Sequence, residues 1–161
     1  MKKNLVLYFS VYGTAKKVAE EIGRQTDADV VEIIPAVPYD SNRDHYIALA
    51  RLAKKEHDED QRPAIKNEIV IDGYENIFIG YPMWWYTFPM ILYTLFDRYD
   101  FSGKTIIPFN THMGSGDGGT YSTIQKLEPD AKVLQGLPIE MNDAETGASA
   151  AVKNWLKSLN L

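Results

Sequence analysis

Continuous apolar runs recur along this chain, and each is followed by a stretch with helical spacing. Residues 4–9 (NLVLYF) show no polar–apolar alternation, the pattern of a strand buried on both faces of a parallel sheet. Behind them Ala15, Val18, Ala19 and Ile22 fall at i, i+3, i+4 and i+7, one face of a helix. Residues 28–34 (ADVVEII) predict a second strand, closed by Pro35 and Pro38. Residues 44–56 predict a helix with Tyr46, Leu49, Ala50 and Ala53 on one side. After a polar connection over 58–68, residues 75–81 (ENIFIGY) predict a third strand. Residues 89–97 predict a helix with Pro89 in its first turn, where a missing N–H costs nothing. Residues 104–109 (KTIIPF) predict a fourth strand, whose ladder Pro108 should limit. A short helix at 119–127, a last strand at 131–140 and a C-terminal helix complete the series. That helix carries Ala148, Ala151, Val152, Trp155, Leu156 and Leu159 on one face.

Strict strand–helix alternation implies an α/β fold of parallel strands joined by right-handed crossovers, with helices on both faces. The 161 residues suit one domain, 1–161. There are no cysteines, which removes disulfides, thiol catalysis and cysteine-based metal centres, and fits a reducing cytoplasm. The net charge is −5, with no basic cluster beyond Lys54-Lys55, so neither nucleic acid nor an anionic membrane is an expected partner. No apolar run is long enough to span a bilayer. Met1-Lys2-Lys3 leads into a strand-like run and not into a signal peptide with a cleavage site. Cytoplasmic localisation is the resulting expectation.

In an open parallel sheet, ligands bind beyond the carboxyl ends of the strands, where strand order reverses. Three segments occupy such places. SVYGTA (10–15) joins the first strand to the first helix, and backbone N–H groups at a helix N-terminus accept anions. It matches neither the Walker A pattern nor G-x-G-x-x-G, and a turn with Thr14 as N-cap is the simpler alternative. PMWWYTFP (82–89) follows the third strand, with two of the three tryptophans. Core packing or an interface is its simpler alternative. NTHMGSGDGG (110–119) follows the fourth strand with four glycines, which allow positive φ and close backbone approach. A flexible surface turn is the alternative there. Together the three ask for a ligand with a phosphate tail and a planar, partly apolar ring.

These residues resemble a known family. S-x-x-G-T-x-x-x-V-A-E-x-I, read from Ser10, is similar to the first loop of the flavodoxins. IGYPMWW (79–85) resembles the second loop of one bacterial branch, G-x-P-x-W-W. FSGKTIIPFNTHMGSG (101–116) resembles that branch's fourth strand and third loop. The similarity runs along essentially the whole chain. It implies a flavodoxin-like three-layer sandwich, with a five-stranded parallel sheet of order 2-1-3-4-5, in a short-chain form that binds FMN. By resemblance, Ser10, Gly13, Thr14 and the backbone from Val11 through Tyr12 to Ala15 hold the phosphate. Pro82, Met83, Trp84 and Trp85 line the isoalloxazine. Thr111, His112, Met113, Gly114, Ser115 and Gly116 approach the ring from the other loop.

The chain departs from relatives at four of its positions. Tyr12 and Ala15 stand where many relatives have Thr, which makes Ala15 a weaker site member. Met113 and Tyr86 stand where relatives often have Gly, so Met113 packs on the ring or restricts its loop, and Tyr86 narrows access. An FMN-binding electron-transfer protein serving redox partner proteins or small electron acceptors is the leading expectation. The alternatives are an NAD(P)H-dependent FMN quinone reductase and a flavin-free scaffold that binds protein through its aromatic loop. No catalytic side chain is required, and Ser10 lacks a G-x-S-x-G context. No metal is expected, since His45 and His57 lack ligand spacing with carboxylates. His112 either serves the ring, donating to a carbonyl or moving a proton, or is a solvated loop residue. Acidic residues on the flavin side would lower its reduction potential.

Overall fold

The structure, a computed structural model, describes residues 3–161; Met1 and Lys2, and with them the reading of the chain start, lie outside the described residues. The elements are β1 (Asn4–Tyr8), α1 (Thr14–Thr26), β2 (Asp29–Glu32), a 3-10 turn (Arg43–His45) and α2 (Tyr46–Asp58). There follow β3 (Asn76–Pro82), α3 (Ile91–Arg98), β4 (Thr105–His112), α4 (Thr120–Leu127), β5 (Lys132–Val133), β6 (Leu137–Glu140), α5 (Met141–Ala144) and α6 (Ser149–Leu159). Every strand pair is parallel, and the order is β2-β1-β3-β4-β5, with β6 also on β4.

The central strands are apolar throughout because both faces are covered. Leu5, Leu7, Ile77, Ile79 and Ile106 join one core with Ile91, Leu92 and Leu95 of α3 and Ile124 of α4. Val6, Tyr8, Phe78, Ile107 and Phe109 join the other with Val18, Ala19 and Ile22 of α1 and Val152 and Trp155 of α6. Successive strand residues thus alternate between two apolar layers. Gly80 lies opposite Phe109 in the β3–β4 register. A Cβ on Gly80 would sit 2.1 Å from the Phe109 ring, so glycine is what lets that ring lie across the sheet.

Four sequence expectations change. The strand expected over 131–140 is two strands, β5 and β6, placed end to end along β4. Pro108 does not stop its ladder. It pairs with Ile79, and β4 continues to His112. The interruption falls on the outer side instead. A Cβ on Gly136 would lie 2.6 Å from the Pro108 carbonyl oxygen, so the proline's donorless backbone faces the gap between β5 and β6. Pro89 precedes α3, whose N-cap is Met90. Thr14 is not an N-cap; Gly13 is, and Thr14 is the first helical residue and buried.

Candidate functional site

Strand order reverses between β1 and β3, and the loops after β1, β3 and β4 meet at that edge. In the first loop the Gly13 N–H donates to Ser10 Oγ at 3.0 Å. Gly13 sits at φ 87, a left-handed conformation natural to glycine, and its carbonyl accepts the Lys17 N–H at 3.1 Å. No side chain caps α1. Its first-turn N–H groups therefore lack acceptors within the helix, and the positive end of the dipole faces the loop.

The Tyr12 hydroxyl is buried there without a hydrogen-bond partner. Burial raises its pKa, the Asp40 charge adds to this, and Arg43 opposes it. The Arg43 guanidinium stands 5.5 Å from the Tyr12 ring centroid and donates to Glu145 at 2.7 Å. Lys17 reaches the same residue, donating to its backbone oxygen at 3.0 Å.

The second loop is a tight turn. Trp84 N–H donates to the Thr87 carbonyl at 2.9 Å and Thr87 N–H to that of Trp84 at 3.1 Å. Between them Trp85 (φ 54) and Tyr86 (φ 60) are both left-handed, as in a type I′ turn, a conformation usually given to Asn-Gly. Two bulky residues there carry a strain of roughly 1–2 kcal/mol each.

The aromatic rings hold the turn in place. Trp84 meets Phe9 and Tyr39 edge-on, with centroids 5.5 and 5.4 Å away. Trp85, 46% exposed, donates its indole N–H to the Ala50 carbonyl at 2.8 Å, beneath the Lys54 ammonium. The two tryptophans thus do different work: Trp84 is anchored on core aromatics, and Trp85 ties the turn to α2. Behind Trp84, the Tyr39 hydroxyl donates to the buried Glu56 carboxylate. Burial raises the Glu56 pKa against the lowering effect of that bond.

The third loop is braced from below by two relays. The Tyr121 hydroxyl donates to Asn110 Oδ1, and Asn110 Nδ2 donates to the Gly116 carbonyl at 2.9 Å. The Tyr81 hydroxyl donates to Thr120 Oγ1 at 2.7 Å, which donates to the Asp117 carbonyl at 2.7 Å. Asn110, Tyr81 and Thr120 are fully buried, so each relay replaces water that the loop's carbonyls would otherwise need. Burial pushes the Tyr81 and Tyr121 hydroxyl pKa values well above the usual range, which keeps both as donors.

The three loops enclose a cleft of about 800 Å³. Ser10, Val11, Tyr12 and Thr14 line one end, Pro82, Met83, Trp84 and Trp85 one wall, and Thr111, His112, Met113, Gly114 and Ser115 another. Gly13, Ala15 and Gly116 are not among the lining residues; Ala15 is buried on the core side of α1. Met113 stands at the rim, 84% exposed. The remaining wall is α2, through Tyr46, Leu49, Ala50 and Ala53, with Met141 and Tyr86 completing the rim.

Sequence reasoning found that helix face but not what it faces, because periodicity says nothing about a helix's neighbour. Met141 directly follows the strand end expected at 140, but it is a lone apolar residue among Asn142, Asp143 and Glu145 and gave no ligand signal. A second groove of about 710 Å³, lined by Arg24, Lys153 and Lys157 among others, runs between α1 and α6 and has no aromatic side chain. Among the described residues no three metal-ligating side chains cluster, and no helix is long and apolar enough to cross a membrane.

A sequence model of flavodoxins matches residues 3–159. The chain belongs to the flavodoxin family. Its sheet order and two-sided helix layers are those of the flavodoxin-like fold. A candidate flavoprotein of Bacteroides eggerthii is 32% identical, with 99% of this chain and 98% of that one covered and a TM-score of 0.79. One of Bacteroides uniformis is 30% identical, covering 96% and 97%, with a TM-score of 0.84. A Lactobacillus acidophilus flavoprotein solved in complex with FMN shares the fold at 22% identity, 92% and 99% coverage and a TM-score of 0.72. No curated protein matches.

Proposed function

We propose that this chain binds FMN in the cleft and carries electrons between redox partner proteins or small acceptors. The observation that carries the reading is the uncapped N-terminus of α1 beside the unpartnered Tyr12 hydroxyl, at one end of an aromatic cleft. Free donors with no acidic side chain in the first turn suit a phosphate. The long apolar wall of Met83, Trp84, Trp85 and α2 suits a flat ring. FMN, when bound, supplies the redox chemistry. The chain's own residues do the rest: the α1 N-terminus and Tyr12 hold the phosphate, Trp84 and Trp85 exclude water, and the third loop aims backbone N–H groups at the ring edge. An FMN-bound structural neighbour and the family assignment support this reading.

The charge near the cleft is mixed despite the net −5. Lys54 and Arg43 stand over two of its aromatic rings. The acidic balance therefore does not by itself lower the potential at this edge.

An NAD(P)H-dependent FMN reductase is the second reading, and one observation favours it. Tyr86 is 78% exposed and Phe88 is buried against Tyr81 and Tyr93, so neither closes the outer side of the cleft. The deciding experiment is FMN retention after gel filtration, followed by anaerobic addition of NADPH or NADH. Retained flavin that bleaches slowly supports the carrier. Rapid bleaching supports the reductase. No retained flavin rejects both and leaves a protein-binding scaffold.

A further inference from the structure

His112 ends β4 directly across from Glu140 of β6 in the sheet register. Its side chain is only 9% exposed and lines the cleft. Nδ1 accepts the Gly114 N–H at 3.0 Å. An accepting ring nitrogen carries no proton, so the neutral imidazole holds its proton on Nε2. The same Nδ1 lies 3.8 Å from Glu140 Oε1, too far for a hydrogen bond but close for an ion pair. One nitrogen thus has two partners, and protonation selects between them. A protonated Nδ1 cannot accept from Gly114, and it has a carboxylate within reach.

We propose that His112 is a proton-operated latch on the third loop. Uptake of one proton at Nδ1 releases the Gly114 N–H and engages Glu140, and negative charge arriving in the cleft drives the uptake. The proton comes from water, one N–H bond forms, and the ring passes from neutral to +1. That charge offsets the one entering the cleft.

Gly114 is able to follow. It sits at φ 108 with nothing within 4 Å of where a Cβ would stand, so its peptide has room to turn. The bonds of Asn110 to Gly116, of Thr120 to Asp117 and of the Gly118 N–H to Ser115 do not involve His112, so they hold the loop beyond Gly114 in either state. The ionisable groups on the neighbouring segments are Glu140 on β6, Asp117 in the third loop, Asp143 on α5, Glu145 after it and Tyr12 in the first loop. Glu145 is already paired with Lys17 and Arg43. Pro82, Met83, Trp84 and Trp85 of the second loop carry no charge. Of these groups, Glu140 is the one the geometry brings to Nδ1. The link to flavin charge rests on the FMN reading; the exchange of partners does not.

The test is nitrogen-15 NMR of the full chain, first without FMN. The imidazole shifts should report an unprotonated Nδ1 at high pH, and the Gly114 amide should titrate with the His112 midpoint. Glu140→Gln should lower that midpoint. His112→Asn, which still offers an oxygen to Gly114, should abolish the amide's pH response. A Gly114 amide that ignores His112, or a neutral ring protonated on Nδ1, overturns the latch. With FMN loaded, chemical reduction should raise the midpoint by about one pH unit, and equal midpoints would overturn the coupling to charge. Failure to retain FMN rejects the proposed function, while the FMN-free titration still decides the latch.

Discussion

The indole N–H of Trp85 and the backbone carbonyl of Ala50 are 2.8 Å apart, and this bond fastens the aromatic turn to α2. It joins two walls of the cleft that are 35 residues apart in sequence. Removing it tests whether cleft shape and fold stability can be separated. Trp85→Phe keeps an aromatic ring but loses the donor. Because the site is half exposed, we expect a stability loss of about 1 kcal/mol or less. FMN affinity should fall several-fold. Urea unfolding and flavin-fluorescence titration measure the two effects, and unchanged affinity would show that the turn holds its shape without α2.

Tyr86→Gly should stabilise the protein. Tyr86 is left-handed and its side chain is exposed. Relief of roughly 1–2 kcal/mol of backbone strain exceeds the roughly 0.5–1 kcal/mol that glycine's freedom in the unfolded chain costs. The expected net gain is about 0.5–1 kcal/mol, read as a higher urea midpoint. A loss would mean that the tyrosine ring makes contacts worth more than the strain.

Tyr121→Phe should loosen the third loop. It leaves Asn110 Oδ1, buried in the sheet, without its donor, at a cost of about 1–3 kcal/mol. Amide exchange at residues 114–116 should quicken. Ile124→Val, a core trim on the same helix, is the control and should lower stability without touching those amides.

Stability should fall as pH rises from about 4.5 towards neutrality, because of Glu128. Its carboxyl is pushed up to about 7, first by burial and then by Asp100, Asp130 and Asp97. Between its ordinary value of 4.5 and about 7, the folded state holds a proton that the unfolded state has lost. Stability therefore declines across that window and stays low above it. Glu128→Gln should flatten the decline, raising stability at pH 8 and leaving it unchanged at pH 4. Thermal melts over that range decide the point.

Much of the fold was legible because the central strands are covered on both faces. Runs such as 4–9 and 75–81, short and apolar without alternation, suit strands buried on both faces, and the loops after them follow from topology. The site was legible where its residues lie in those loops. It was not legible at α2, where Tyr46, Leu49, Ala50 and Ala53 announce an apolar face without naming its neighbour. Nor could spacing separate Trp84 from Trp85, since that difference arises from Phe9 and Tyr39 reaching one ring and Ala50 the other. The split of 131–140 escaped for a related reason. Its cause, Pro108, is on a different strand.

That proline also shapes what the molecule offers to others. Because β5 has two residues and β6 four, with a gap between them, the outer margin of the sheet has no long row of free backbone donors and acceptors. A strand from another chain laid along it would lose register at the notch. Association on that side must therefore be written in side chains, and the margin is guarded against the fibrous stacking to which flat, unbroken edges are prone.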